Sequence, residues 1–198
     1  MSSVKVRVAG MNQKMKKALL LDRDGVININ HGYVYRVEDC DFVDGIFELT
    51  RLAASKNYVI CIVTNQAGIG RGYYTESQFH DFTRWMTGRF RQEGVLISKV
   101  YYSPYHPTDG IGKYKKDDLS RKPNPGMLLD AINDFKIDAG SSVLIGDSVT
   151  DIQAGVAAGV GTNLYLGESD ISKSLDEGLY TKIFCLSEGA AFLSSSGT

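Results

Sequence analysis

The chain has 198 residues, of which 43% are hydrophobic and 23% charged, and its formal net charge is −1. That length suits one domain with a sizeable core, and the near-neutral balance gives no broad electrostatic reason to bind nucleic acid or an anionic membrane. No apolar run is long enough to cross a bilayer, and the scattered, odd set of Cys40, Cys61 and Cys185 reads as reduced thiols in a cytoplasmic protein.

Residues 1–16 carry Lys5, Arg7, Lys14 and Lys16 but no continuous apolar core, so they read as a leader ahead of the domain and not as a secretory signal. Residues 17–190 are expected to form a single domain, and the small, polar residues 191–198 a frayed tail. Apolar and β-branched clusters at 18–21, 58–63, 97–102, 142–145 and 160–166 predict strands. Helices are expected over 44–56 with Asp44 as a cap, 75–93 opening on Thr75, 125–135 opening on Pro125, and 149–158 ending before Gly159. Phe82, Trp85 and Phe90 fit the core-facing side of the second helix. Residues 103–120 lack periodicity and read as an insertion or long loop; His106 within it, like His80, suggests no chemistry.

Strands alternating with helices predict an α/β fold with a three-layer α/β/α architecture and an open, mostly parallel, Rossmann-like sheet. Ligands of such sheets sit beyond the carboxyl ends of the strands. The polar motifs collect there: Asp22 and Asp24 after the first strand, Thr64 and Asn65 after the second, Asp147 after the fourth, and Arg121 and Lys122 before the helix at Pro125.

Two aspartates one residue apart at the end of an apolar strand repel each other and lose hydration, which a bound cation or a reaction needing both carboxylates would explain. Asp22 and Asp147 offer the hard oxygen ligands that suit Mg²⁺; a Ca²⁺ site or two unrelated helix caps are the alternatives. Thr64, Asn65 and Gln66 either end a strand in a capping turn or donate to a phosphoryl oxygen. Gly68, Gly70 and Gly72 around Arg71 serve either a sharp turn or an anion nest. Pro123 and Pro125 restrict the backbone beside Lys122, so this cation can be held in one direction, unlike Lys113, Lys115 and Lys116 in a charge-rich surface stretch. His31, a few residues beyond the acidic pair, is expected to face the substrate.

The ordered set Asp22-x-Asp24-Gly25, Thr64-Asn65, Lys122-Pro123 and Gly146-Asp147-x-x-x-Asp151 resembles the haloacid dehalogenase-like (HAD-like) superfamily of phosphatases. Within it, "LDRDGVINxNHGYVY", "VTNQAGIGRG", "RKPNPGMLL" and "VGT" are similar to the group that includes heptose bisphosphate and histidinol-phosphate phosphatases. The resemblance spans roughly residues 17 to 167 and implies a HAD-like fold with no large cap domain. It implies that Asp22 is the nucleophile and Asp24 the acid and base. Mg²⁺ would be held by the Asp22 and Asp147 side chains and the Asp24 carbonyl, with Thr64 and Lys122 on the phosphoryl oxygens. Asp151 would orient Lys122 or a metal-bound water, or cap a helix. Substrate contacts are implied for Asn30, His31, Gly32, Tyr33, Asn65, Gln66, Ala67, Arg71 and Arg121, the last suited to the second phosphate of a bisphosphate.

Two departures from the group stand out. Ser148, also an implied substrate contact, replaces a basic residue that often follows the "GD" aspartate. Ser103, Tyr105, Asp118 and Ser120 replace a Cys-x-His and Cys-x-Cys set that holds structural zinc in many members, so no structural zinc is expected here. The expectation is therefore a monomeric, Mg²⁺-dependent phosphatase of a small sugar bisphosphate such as a heptose bisphosphate, with no nucleic-acid or membrane partner. Histidinol phosphate or another small ester is the alternative substrate, and a non-enzymatic binding module the alternative class.

Overall fold

The computed structural model describes residues 15–193. Among them, six strands form one sheet: β1 Ala18–Leu21, β2 Val59–Asn65, β3 Lys99–Ser103, β4 Val143–Gly146, β5 Thr162–Leu166 and β6 Thr181–Ile183. Their order is β3-β2-β1-β4-β5-β6, with every neighbouring pair parallel. Leu20 of β1 stands beside Cys61 of β2 and Leu144 of β4, which sets the central register.

The strands read as unbroken apolar runs because both faces of the sheet are covered. Side chains alternate between two cores: Leu19, Leu21, Ile60, Ile62, Val143 and Ile145 on one face, and Ala18, Leu20, Cys61, Val63 and Leu144 on the other. The helices are α1 Ile46–Ser55, the short α2 Ala67–Gly70, α3 Glu76–Gln92, α4 Gly126–Phe135, α5 Val149–Ala157 and the short α6 Leu186–Gly189. Ile46 and Leu49 of α1, Phe82, Met86 and Phe90 of α3, and Leu186 of α6 fill the first core. Met127, Leu128 and Ala131 of α4 and Ala154 of α5 fill the second. Each such buried side chain stabilises the fold by roughly 1.5–3 kcal/mol relative to an exposed one. Trp85 packs half-buried beside Phe82 and Phe42.

Local signals set the helix starts. Thr75 caps α3 through a reciprocal pair, accepting from the Gln78 N–H at 3.2 Å while its own N–H donates to Gln78 Oε1 at 2.9 Å. Pro125 stands immediately before α4, as its fixed φ favours. At α1 the cap is Gly45, not Asp44: a φ of 82° turns the chain there, a conformation that costs glycine little. The strand β6 was not legible because it is three residues long and buries only Ile183.

Ordered contacts run past both edges of 17–190. Lys16 exchanges backbone hydrogen bonds with Lys136 and Asp138 at 3.0 and 2.8 Å, and Leu193 is buried with its carbonyl accepting from Lys56 Nζ. The rest of the expected leader up to residue 14, and the tail from 194, lie outside the described residues. No helix among the described residues is long and apolar enough to cross a membrane.

Among the described residues there is no large cap domain. Residues 104–120 instead fold back over α2, where the Ile111 N–H donates to Gly70 O at 2.8 Å and the His106 N–H to Tyr114 O at 3.1 Å. A methyl group on Gly70 would come within 2.4 Å of Pro104 O, and one on Gly68 within 2.2 Å of the Tyr74 ring. These two glycines therefore serve close approach of neighbouring segments.

Candidate active site

Strand order reverses direction at β1, so the carboxyl ends of β1 and β4 flank the crevice of the sheet. Asp22 leaves β1 there, its N–H donating to Ile145 O of β4 at 3.0 Å. Asp147 follows β4, and Asp151 stands in the first turn of α5. One carboxylate oxygen from each of these three lies within 4.8 Å of the others. Gly25 permits the crowding: its φ is 90°, and a methyl group on it would meet Asp147 Oδ2 at 1.9 Å.

Lys122 stands under this cluster, almost fully buried. Its ammonium donates to the Val63 carbonyl at 2.7 Å and forms ion pairs with Asp151 Oδ1 at 2.5 Å and Asp22 Oδ1 at 2.9 Å. Asn65 clamps the backbone of Lys122: Oδ1 accepts its N–H and Nδ2 donates to its carbonyl, both at 3.0 Å. Burial alone would lower the lysine pKa, but Asp151 and Asp22 outweigh it and raise it. Asp151 also accepts at Oδ2 from the Ser148 N–H and hydroxyl, at 3.0 and 2.6 Å, so it serves both Lys122 and the start of α5.

One ammonium does not balance three carboxylates. Burial first, then Asp151, push the Asp22 carboxyl up to about 7 against the opposing pull of Lys122. Burial and Asp151 likewise raise Asp147 to about 6. An all-oxygen set with unbalanced negative charge fits a hard divalent cation such as Mg²⁺.

Asp24 is handled differently. The buried Arg23 donates Nη2 to both of its carboxylate oxygens at 2.7 and 2.5 Å, and Asn28 and Gln66 add N–H donors at 3.1 and 3.0 Å. Arg23 is itself fixed by the Val34 carbonyl at 2.7 Å and by the Phe82 ring 5.2 Å beneath its guanidinium. The Tyr74 hydroxyl donates to Gln66 Oε1 at 2.6 Å, which settles the amide orientation and aims Nε2 at Asp24 and at Thr64 Oγ1, 2.8 Å away. Thr64 accepts that bond and keeps its own proton to donate into the cavity.

A cavity of about 350 Å³ opens above these groups. Asp22, Asp24, Thr64 and Asp147 form its floor, and Asn30, Gly32, Tyr33, Asn65, Ala67, Arg71 and Arg121 stand in its walls. Three of the expected substrate contacts do not line it. His31 is turned to the surface, where Nε2 lies 2.9 Å from Asp41 Oδ2: Asn30 accepts the Gly32 N–H, and the positive φ of Gly32 and Tyr33 (80° and 55°) carries Tyr33 inward and His31 outward. Gln66 is buried behind the wall, and the Ser148 hydroxyl is engaged by Asp151.

Other site residues gave no signal in the sequence. Arg23 reads as a spacer between two acids, yet it is fully buried against Asp24. Tyr74 lines the cavity and holds Gln66 through its hydroxyl. His106 lines the cavity but belongs to a stretch without periodicity, placed by its contacts with the segment after β2; the one available hint was its position between the Arg71 and Arg121 segments.

An acid pair at the switch point of a parallel sheet, facing a buried lysine and a second acidic turn, defines a HAD-like hydrolase, and residues 119–180 match the HAD-hydrolase-like family model. The chain is 54% identical over 157 residues to the D-glycero-alpha-D-manno-heptose-1,7-bisphosphate 7-phosphatase of Burkholderia mallei, covering 79% of this chain and 83% of that protein. It is 46% identical over 149 residues to the D-glycero-beta-D-manno-heptose-1,7-bisphosphate 7-phosphatase of Vibrio cholerae, covering 75% and 80%. Among solved structures, the D,D-heptose 1,7-bisphosphate phosphatase of B. bronchiseptica complexed with magnesium and phosphate superposes with a TM-score of 0.75 at 25% identity, covering 89% of this chain and 97% of that one. A HAD-like protein of Mesorhizobium loti gives 0.81 at 30% identity, covering 90% and 86%. The chain belongs to the heptose-1,7-bisphosphate 7-phosphatase family of HAD-like hydrolases.

Proposed function

We propose that this protein removes the C7 phosphate of D-glycero-D-manno-heptose 1,7-bisphosphate, leaving heptose 1-phosphate for the synthesis of nucleotide-activated heptose. The observation that carries this reading is the acid cluster at the floor of the cavity, where Asp22, Asp147 and Asp151 have one ammonium among them, paired to Asp22 and Asp151, beside the separately held carboxylate of Asp24. Asp22 attacks phosphorus; the bond from phosphorus to the sugar oxygen breaks, and Asp24 gives that oxygen its proton. Asp24, now ionised, takes a proton from water as the water oxygen attacks the aspartyl-phosphate, and phosphate leaves with Asp22 restored. Thr64 donates to a phosphoryl oxygen throughout, whereas Lys122, expected on those oxygens, has its ammonium on Asp22, Asp151 and the Val63 carbonyl and so holds Asp22 in its attacking position and offsets its charge. Asp22, Asp147 and the Asp24 carbonyl would hold Mg²⁺, which when bound supplies charge neutralisation to the transferring phosphoryl group. Arg71 and Arg121 face the rest of the substrate, with Asn30, Gly32, Tyr33 and Ala67 beside them.

The loop that carries zinc in related enzymes is metal-free in this reading. Ser120 Oγ donates to Asp118 Oδ1 at 2.6 Å and lies 3.1 Å from Ser103 Oγ, while Lys116 pairs with Asp118 at 2.7 Å and covers the Tyr105 ring at 4.0 Å. Burial would raise the Asp118 carboxyl, but Lys116 and Ser120 outweigh it and hold it at about 2. Metal analysis should find no stoichiometric zinc; one tightly bound equivalent contradicts this. We also place the protein in the cytoplasm as a monomer. Cys40 and Cys61 are free thiols, and burial raises them to about 11 and about 12.

The test is a turnover screen with Mg²⁺ over both anomers of heptose 1,7-bisphosphate, histidinol phosphate and other small esters. Preferred hydrolysis of a heptose bisphosphate, abolished by chelation and restored by Mg²⁺, is expected. Preference for histidinol phosphate would move the substrate assignment, and absence of phosphate release from every ester would remove the enzyme reading.

A further inference from the structure

His106 stands in the cavity wall with only 16% of its side chain exposed, and both of its ring nitrogens face donors. The Asp109 N–H points at Nδ1 from 3.0 Å, and Arg71 Nη2 lies 3.1 Å from Nε2. Neither neighbour can accept a hydrogen bond, and a neutral imidazole has a single acceptor nitrogen. One of the two contacts therefore sets donor against donor. The Thr108 hydroxyl, 3.3 Å from Nδ1, is able to play either part and does not remove the conflict.

The backbone N–H of Asp109 cannot turn away, so Nδ1 accepts from it and the ring proton sits on Nε2, against Arg71. Arg71 is not free to retreat either. Nη1 donates to the Tyr33 hydroxyl, Nη2 donates to Asp109 Oδ2 at 2.7 Å, and Nε is buried without a partner. Protonating the ring adds no acceptor, and it is opposed by burial and by the positive charges of Arg121 and Arg71, which lower the His106 pKa. Two fixed donors side by side in a cavity wall are satisfied together by one acceptor oxygen placed against both.

We propose that His106, as its Nε2–H tautomer, and Arg71 jointly bind an anionic oxygen of the substrate's second phosphate, making His106 a specificity-determining residue. This rests on the bisphosphate reading above and adds to it a neutral donor held in one tautomer by the loop backbone. The same two groups could also donate to a sugar hydroxyl oxygen, so the experiment has to separate the two oxygens.

The measurement is kcat/KM on heptose 1,7-bisphosphate and on heptose 7-phosphate, which lacks the second phosphate, for the parent, His106→Ala and His106→Gln. The ratio of the two values should fall about tenfold or more in His106→Ala, through KM, the scale of one hydrogen bond to a charged group. His106→Gln, with an amide N–H in reach of the same place, should recover part of the loss. Equal losses on both substrates, or no change in the ratio, overturn the proposal. If the parent prefers another bisphosphate, the heptose assignment fails but the ratio is read on that compound and its monophosphate. Nitrogen-15 spectra of the ligand-free protein, which has three histidines, give a readout without turnover. An Nε2–H signal for His106 is expected; an Nδ1–H signal contradicts the arrangement.

Discussion

The floor of the cavity and its loop wall present opposite electrostatic problems. Around the floor, Asp22, Asp147 and Asp151 cluster with one ammonium among them, so negative charge is in excess and every carboxylate sits at a strand or helix end. In the wall, Arg71, Arg121 and His106 face one another with Asp109 as the nearby acid, so donors are in excess and the groups come from loops. Burial and the neighbouring Arg71 lower the pKa of Arg121, the mirror image of the raised carboxyls at the floor. In the reading proposed above, a cation completes the first region and an anion the second, and a metal-bound sugar bisphosphate supplies both.

The strongest way to break this division is Asp22→Asn. It should fold with a melting temperature near that of the parent and lose turnover about 10⁴-fold or more, as expected for a nucleophile. Turnover close to the parent would take the chemistry away from the floor. Lys122→Met leaves the floor acids without their counterion and should cost about 3–5 kcal/mol in urea unfolding at pH 8. That cost should shrink below pH 5, where Asp22 and Asp147 are protonated; a cost independent of pH would mean that Lys122 stabilises by packing alone.

Mg²⁺ sharpens the same region. Folding raises the Asp22 and Asp147 carboxyls above the unfolded value, so the metal-free fold binds protons that the unfolded chain does not. The contribution of these two groups to stability is therefore greatest below about pH 4, the unfolded value, and is lost as pH rises through about 6 and about 7. Mg²⁺ must displace those protons, so its stabilisation, about 2.7 kcal/mol at a hundred times Kd, should be larger at pH 8 than at pH 5.5. Equal shifts in melting temperature at both values would place the ion elsewhere. The smallest effect concerns the seam between the regions. Tyr74→Phe frees the Gln66 amide that aims at Asp24 and Thr64, and should lower kcat roughly tenfold with little change in KM, the scale of one buried hydrogen bond. A change in KM alone would make Tyr74 part of the recognition wall.

The same division explains what could be read from the sequence. Asp22, Thr64 and Asp147 each end an apolar strand, so the periodic pattern that locates the strand also locates the residue. The layers of the fold followed from the same pattern. Arg23 stayed hidden because its burial depends on Val34 and Phe82, which lie 11 and 59 positions away and meet it only in the folded core. His31 and His106 show the difference most clearly. A left-handed turn at Gly32 and Tyr33 takes the first away from the cavity, and packing of residues 104–120 on α2 brings the second into it. Neither event leaves a trace in hydrophobic periodicity.

The account stands most directly on a rapid acid quench of the Mg²⁺-loaded protein during turnover of heptose 1,7-bisphosphate, followed by mass spectrometry of the peptide that contains Asp22. A phosphoryl adduct on the Asp22 carboxylate, absent in Asp22→Asn, is the result predicted. Steady release of phosphate with that peptide unmodified, or an adduct on another residue, would contradict it.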